Sequence, residues 1–221
     1  MIKPIVLDDL FIINDGLTPQ FEEGVVIIDN FYKNYDQIYE MLSSSYMPRW
    51  KWCEGSRNFI DYHDCRLEID NNFYGDSYIT KINSLIELIK YFYNDQRDIG
   101  INDTGYNFNV YQNIKRNVSN SFQHFPHIDL SYNAIVYLDK VSSGGTAIYP
   151  EIENVPDSEE QNILFDISDH KKIIIESKPN RMVVFNGTRY HGGYIENHDA
   201  YTGENWRINQ VMFFDELNNT P

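Results

Sequence analysis

Two imidazoles, a carboxylate and a guanidinium follow one another in an order that suits metal chemistry: His127-Ile128-Asp129, then His191, then Arg207. Two histidines and one carboxylate are the ligand set that leaves open coordination positions on a non-haem Fe(II), where oxygen and a second molecule can bind. Residues two apart on an extended segment point to the same face, so His127 and Asp129 can reach one ion. The third ligand must come from elsewhere in the fold. His191 ends Val183-Val184-Phe185-Asn186-Gly187-Thr188-Arg189-Tyr190-His191, an apolar strand running into a turn. Arg207 opens Arg207-Ile208-Asn209-Gln210-Val211-Met212-Phe213-Phe214, from which a guanidinium could clamp a carboxylate bidentately in an apolar interior.

The chain has six histidines, so the set must be chosen against competitors. His124 precedes His127 by three, but Phe125-Pro126 between them argues against a helix, and at odd spacing on a strand the two face opposite sides. His124 is read as a neighbour of the centre or a surface group. His198 sits in the polar run Glu196-Asn197-His198-Asp199, a poorer support for a rigid ligand than the strand before His191. His63 and His170 lie in loop-like settings and are read as solvated.

Positioning these groups requires strands. Residues 5 to 30 alternate short apolar runs with Asp-Gly and Glu-Gly breaks, which predicts two strands, the better one over Val25 to Phe31. Asn34 or Asp36 can cap a helix across Gln37 to Leu42. The polar and aromatic segment from Ser43 to Asp64 reads as a long loop, and its Arg49, Trp50, Trp52 and Arg57 are candidates for a substrate entrance. A second helix is predicted over Ser77 to Phe92, where Ile79, Ile82, Leu85, Ile86 and Ile89 form one apolar stripe. Beyond Gly100 the texture becomes strand-rich: Tyr106 to Ile114 alternates, and Lys172 to Glu176 is a further strand. Residues 150 to 171 are acidic and irregular apart from a short helical stretch near Gln161 to Phe165, and are expected to project as a loop or lid.

The ordered set His127, Asp129, His191 and Arg207 resembles the 2-oxoglutarate- and Fe(II)-dependent dioxygenases, particularly the prolyl-4-hydroxylase-like branch and its small viral and bacterial relatives. Tyr132 to Asp139 followed by Gly144-Gly145-Thr146 resembles the strand and glycine turn after that family's first metal-binding segment. Lys178 to Gly187 resembles the strand leading to its distal histidine. The resemblance implies a mainly β chain with flanking α, a double-stranded β-helix (jelly roll) core buttressed by N-terminal helices. It implies a single domain over 1–221, with N-terminal strands and supporting helices in 1–100 and the jelly-roll core with its metal site in 101–217. The implied cofactors are Fe(II), 2-oxoglutarate as cosubstrate and O2, with ascorbate as a candidate accessory reductant. By the same resemblance His127, Asp129 and His191 are the metal ligands and Arg207 pairs the far carboxylate of 2-oxoglutarate. Tyr111, Asn113 and Asn209 are further cosubstrate-binding candidates, with Tyr137 and Thr146 in support. The gap from His191 to Arg207 is longer than in many relatives, and Gly203 suggests a looped excursion within it. Related halogenases lack the carboxylate, so Asp129 favours hydroxylation of a peptidyl or free amino acid or a small metabolite, with release of succinate and CO2. Two other readings remain: a non-catalytic jelly-roll binding or viral structural module with a vestigial metal site, and a cupin-like metalloenzyme that uses no 2-oxoglutarate. The first has no need of an anion clamp beside an open metal.

Composition narrows the partners. The formal charge of −15 repels polyphosphates, which disfavours a broad nucleic-acid-binding surface. No apolar run reaches the ~18 residues of a membrane span, and the N-terminal stretch acquires acids too early for a signal peptide. A cytoplasmic protein is expected, and the Asn-, Ile- and Tyr-rich composition suggests an AT-rich, virus-encoded origin. A small-molecule or peptide substrate is the expected partner. Cys53 and Cys65 read as reduced thiols, since neither has the clustered partners of a zinc site.

Overall fold

The computed structural model describes residues 10–43, 51–54, 62–68, 75–101, 107–113, 126–129, 131–152, 171–201 and 205–217; over 51–54, 62–68 and 107–113, and at His198, the backbone alone is described. In chain order the strands are β1 (Gln20–Glu22), β2 (Val25–Ile28), β3 (Lys51–Glu54), β4 (Tyr62–Glu68), β5 (Ile99–Ile101), β6 (Asn107–Asn113), β7 (Tyr132–Tyr137), β8 (Gly144–Ile148), β9 (Ile173–Glu176), β10 (Arg181–Asn186), β11 (His191–Ile195) and β12 (Arg207–Glu216). Helix α1 spans Tyr35–Ser43 and helix α2 spans Asp76–Tyr93. Nine strands form one sheet in the order β1-β2-β10-β7-β12-β6-β4-β3, with β5 on the far end of β12; β11-β8-β9 form a second. Every described pairing is antiparallel.

The period-two alternation of the central strands decides which side chains meet the site. On one face of the large sheet, Val26, Ile28, Ala134, Val136, Met182, Val184, Ile208, Met212 and Phe214 pack against Ile38 and Leu42 of α1 and Ile82, Ile86 and Ile89 of α2. On the other, Val25, Tyr137, Val183 and Phe185 pack against Ile148 and Ile175 of the small sheet. Both faces of β7 and β10 are therefore apolar, as expected of strands covered on two sides. Two antiparallel sheets facing across an apolar interior, with helices on the outer face of one, make a jelly roll buttressed by N-terminal helices. Each fully buried side chain of the α2 stripe contributes roughly 1.5–3 kcal/mol relative to exposure. Among the described residues no helix is long and apolar enough to cross a membrane.

Two expectations are corrected. The segment from Ser43 to Asp64 is not a continuous loop, because β3 and β4 pair across it, with Trp52 opposite Cys65 and Cys53 opposite Asp64. The partner that stabilises β4 is β6, along seven residues and some forty-five positions away in sequence, so local composition could not reveal it. Gly144-Gly145 is not a turn but the start of β8. A Cβ on Gly144 would sit 2.1 Å from Tyr194 O of β11, and one on Gly145 would sit 1.8 Å from Ile175 O of β9. These glycines let three backbones approach closely. The short helical stretch expected near 161–165 lies outside the described residues.

Candidate metal centre

β10 ends at Asn186, whose side-chain oxygen accepts from the Thr188 N–H at 2.9 Å and the Thr188 hydroxyl at 2.7 Å. This Asx turn brings His191, the first residue of β11, against the segment that carries His127 and Asp129. His127 N donates to His191 O at 2.9 Å, His191 N returns the bond at 3.0 Å, and Asp129 N donates to Gly187 O at 2.8 Å. Backbone pairing thus holds the two halves of the site together without help from an ion.

Asp129 Oδ2 lies 3.2 Å from His191 Nε2 and 3.6 Å from His127 Nε2, and one ligand atom from each residue falls within 4.8 Å of the others. The His191 side chain is 4% exposed and that of His127 53%, so one ligand is rooted in the interior while another faces solvent. Phe185 meets the His191 ring edge-on at 4.8 Å. His191 Nδ1 lies 2.7 Å from the Arg189 carbonyl oxygen. A carbonyl only accepts, so Nδ1 carries the N–H, and a neutral ring then presents a bare lone pair at Nε2. That lone pair faces a carboxylate oxygen, an arrangement of two acceptors that suits a cation between them. Burial opposes ionisation of Asp129, but hydrogen bonds led by that with His127 and including that from Asn133 outweigh it and hold the carboxyl well below the usual range. A charged carboxylate and two imidazoles could hold a divalent ion, and the donor chemistry fits Fe(II).

Asn133 of β7 was not anticipated from the sequence. Its Nδ2 donates to Asp129 Oδ2 at 2.6 Å and lies 3.0 Å from His191 Nε2. The available signal was a lone amide in the otherwise apolar and aromatic run of β7.

Arg207 opens β12 on the face directed at the small sheet and is 7% exposed. Its NH2 donates to Gly145 O at 3.3 Å. With the Asn209 amide oriented so that donors meet acceptors, Asn209 Oδ1 accepts from Arg207 NH1 at 2.9 Å and the amide nitrogen donates to Ile208 O at 3.2 Å. Among the described residues no carboxylate lies within 4 Å of this buried cation. The Asp139 carboxyl is the buried acid that feels its charge: burial pushes Asp139 up to about 6, opposed by Arg207 and by the Tyr201 hydroxyl, which donates to it at 3.0 Å. A buried guanidinium so poorly neutralised fits an incoming carboxylate. Tyr137 and Thr146 close the same interior, their hydroxyls 2.7 Å apart.

Of the other expected residues, Tyr111 stands opposite Arg207 in the β6–β12 register and Asn113 stands opposite Tyr62, both known here by backbone. Trp52 lies on β3, while Arg49, Trp50 and Arg57 lie outside the described residues, as do His124 and His170. His63, expected in a loop, belongs to β4, and His198 opens a 3-10 turn to Tyr201.

No family model matches the chain, and no curated protein matches it in sequence. Solved structures do match it. The non-haem α-ketoglutarate-dependent epimerase SnoN from nogalamycin biosynthesis aligns at a TM-score of 0.56 and 10% identity, over 87% of this chain and 76% of that one. A prolyl hydroxylase from Trichoplax adhaerens, in complex with a hypoxia-inducible-factor peptide, aligns at 0.54 and 15% identity, over 87% and 84%. HygX from Streptomyces hygroscopicus, with nickel, 2-oxoglutarate and hygromycin B bound, aligns at 0.54 and 12%, over 88% and 84%. This is the fold of the 2-oxoglutarate- and Fe(II)-dependent oxygenases. Within that oxygenase fold, the His127, Asp129 and His191 cluster sits where the two sheets meet, at the bridge between His127 and the first residue of β11.

Proposed function

We propose that this protein is a 2-oxoglutarate- and Fe(II)-dependent oxygenase that hydroxylates a peptidyl or free amino acid or a small metabolite, with release of succinate and CO2. The observation that carries the reading is one interior holding two complementary groups: a His127, Asp129 and His191 cluster suited to a cation, and a buried Arg207 with no carboxylate within 4 Å among the described residues. A binding module would need neither. Bound iron would supply oxygen activation, coupled to oxidative decarboxylation of 2-oxoglutarate. His127, Asp129 and His191 would hold the ion, and Arg207 the far carboxylate of the cosubstrate. Asn209 would keep the guanidinium oriented, and Tyr111, opposite Arg207 in the strand register, and Asn113 are proposed as further cosubstrate-binding residues. Asp129 fills the position that a halide would need, which favours hydroxylation. Residues 1–221 would act as one domain, because β1 and β2 belong to the same sheet as β7, β10 and β12. Arg49, Trp50, Trp52 and Arg57 are proposed to border the substrate entrance.

The likeness to a prolyl hydroxylase with a bound peptide and to HygX with a bound small molecule supports both substrate classes. SnoN is an epimerase, so oxidation without net hydroxylation is an outcome the substrate assay must be able to register. The test is anaerobic addition of Fe(II) and 2-oxoglutarate. The wild-type protein is expected to develop the weak visible charge-transfer band of the chelate and, with air and a substrate library, to form succinate. Asp129→Ala is expected to show neither. A folded wild-type protein without the band would favour the non-catalytic module, and undiminished succinate from Asp129→Ala would sink the assignment.

A further inference from the structure

We infer that Asn133 is a positioning residue of the metal centre, its single carboxamide nitrogen orienting both Asp129 and His191 toward a shared divalent cation. The inference rests on the metal centre proposed above and adds to it a residue outside the ligand set.

Asn133 lies in β7 between Phe185 of β10 and Phe213 of β12, and it is 2% exposed. An amide buried among aromatic and aliphatic side chains is costly unless its polar atoms are matched. A purely structural asparagine would bond to backbone, as Asn180 does when it clamps both the N–H and the carbonyl of Tyr32. Asn133 does the reverse. Among the described residues its Oδ1 has no partner, and its Nδ2 reaches Asp129 Oδ2 at 2.6 Å and His191 Nε2 at 3.0 Å. Both of these hydrogen bonds go to atoms of the centre.

A carboxamide nitrogen carries two hydrogens in fixed geometry, so it can serve both atoms at once. Those atoms lie 3.2 Å apart. With the ring neutral and its proton on Nδ1 toward Arg189 O, both atoms are acceptors, and the Asn133 donor between them holds the pair together. Asn133 therefore keeps the pair converged before any ion arrives. A lone pair given to a cation is withdrawn from Asn133, so only one of its two bonds must be released. The bond to Asp129 can persist and decides which carboxylate lone pair stays free. Partners of this kind typically govern metal affinity by 10- to 100-fold.

The experiment compares Co(II), an air-stable probe, in wild type, Asn133→Leu, Asn133→Ser and Asp129→Ala. The readouts are the dissociation constant, the visible ligand-field spectrum and melting with and without metal. Leucine keeps the volume and removes the donor; serine is shorter and cannot reach. Both variants are expected to bind Co(II) about 10-fold or more weakly with an altered spectrum. The metal-free Asn133→Leu protein should stay folded, melting no more than several degrees below wild type, while the Co(II)-induced rise shrinks. If both variants bind within threefold of wild type while Asp129→Ala does not bind, the inference fails and the metal centre stands. If wild type itself binds no Co(II), the centre fails and the inference with it. If both variants lose the folded state without metal, Asn133 belongs to the fold and the inference is overturned.

Discussion

At the scale of single residues, Arg207 is the group on which the proposed oxygenase reading differs from a plain metal binder. It is almost fully buried, yet its described hydrogen bonds go to one carbonyl and one amide, neither of which carries charge. Removing one partner of a buried charge pair costs about 2–5 kcal/mol, or roughly 30-fold in affinity and upward. Arg207→Met keeps the length of the stem and is expected to weaken 2-oxoglutarate binding by at least about 30-fold, while Co(II) affinity stays within about threefold. Isothermal titration of the two ligands separately checks this, and a parallel loss of both would mean that Arg207 supports the fold instead. The three candidate ligands and Arg207 were legible in the sequence because their side-chain chemistry is uncommon in combination and each lies on or beside an apolar run. Asn133 was not, because an isolated asparagine has no chemistry of its own until its neighbours are known.

Strands and close backbone approach set the site at the scale of elements. β8 lies between β11, which starts at His191, and β9, and the glycines at its head allow the approach. Gly144→Ala would drive a Cβ into Tyr194 O, from a backbone with φ of +113° that side chains rarely adopt. The expected cost is about 3 kcal/mol or more, with weakened metal binding because β11 loses its seat; urea denaturation and Co(II) titration measure the two. A wild-type midpoint in Gly144→Ala would show that the small sheet tolerates wider spacing. The helices were readable from their periodicity: α2 spans Asp76–Tyr93 where the stripe predicted Ser77 to Phe92. Strands β3 and β4 and the extended glycines of β8 are not legible locally, since both depend on partners distant in the chain.

Charge and long-range pairing act at the scale of the whole molecule. Asp29, just past β2, receives Arg181 Nε at 2.7 Å and Lys178 Nζ at 2.9 Å, tying the N-terminal strands to the turn before β10. The hydrogen bond from Arg181 outweighs the effect of burial and, with Lys178, lowers the Asp29 carboxyl from 3.8 to about 2. A carboxyl depressed on folding stabilises the native state above its unfolded value and loses that contribution as pH falls through the folded one. The stabilisation is therefore full above about pH 4 and gone below about pH 2, and because Asp29 is partly solvent-exposed it amounts to about 1 kcal/mol. Asp29→Asn is expected to melt a few degrees lower than wild type at pH 6 and with it at pH 2; a difference unchanged across that range would exclude the ion pairs as its source. The sequence by itself determined the reactive groups, their order and the two-sided apolar strands, because side-chain identity and alternation are local properties. Only the tertiary structure decided that His191 Nε2 faces Asp129, that Arg207 has no carboxylate within 4 Å among the described residues, and that Asn133 contacts both His191 and Asp129. Each of those is a distance between residues that the chain itself keeps far apart.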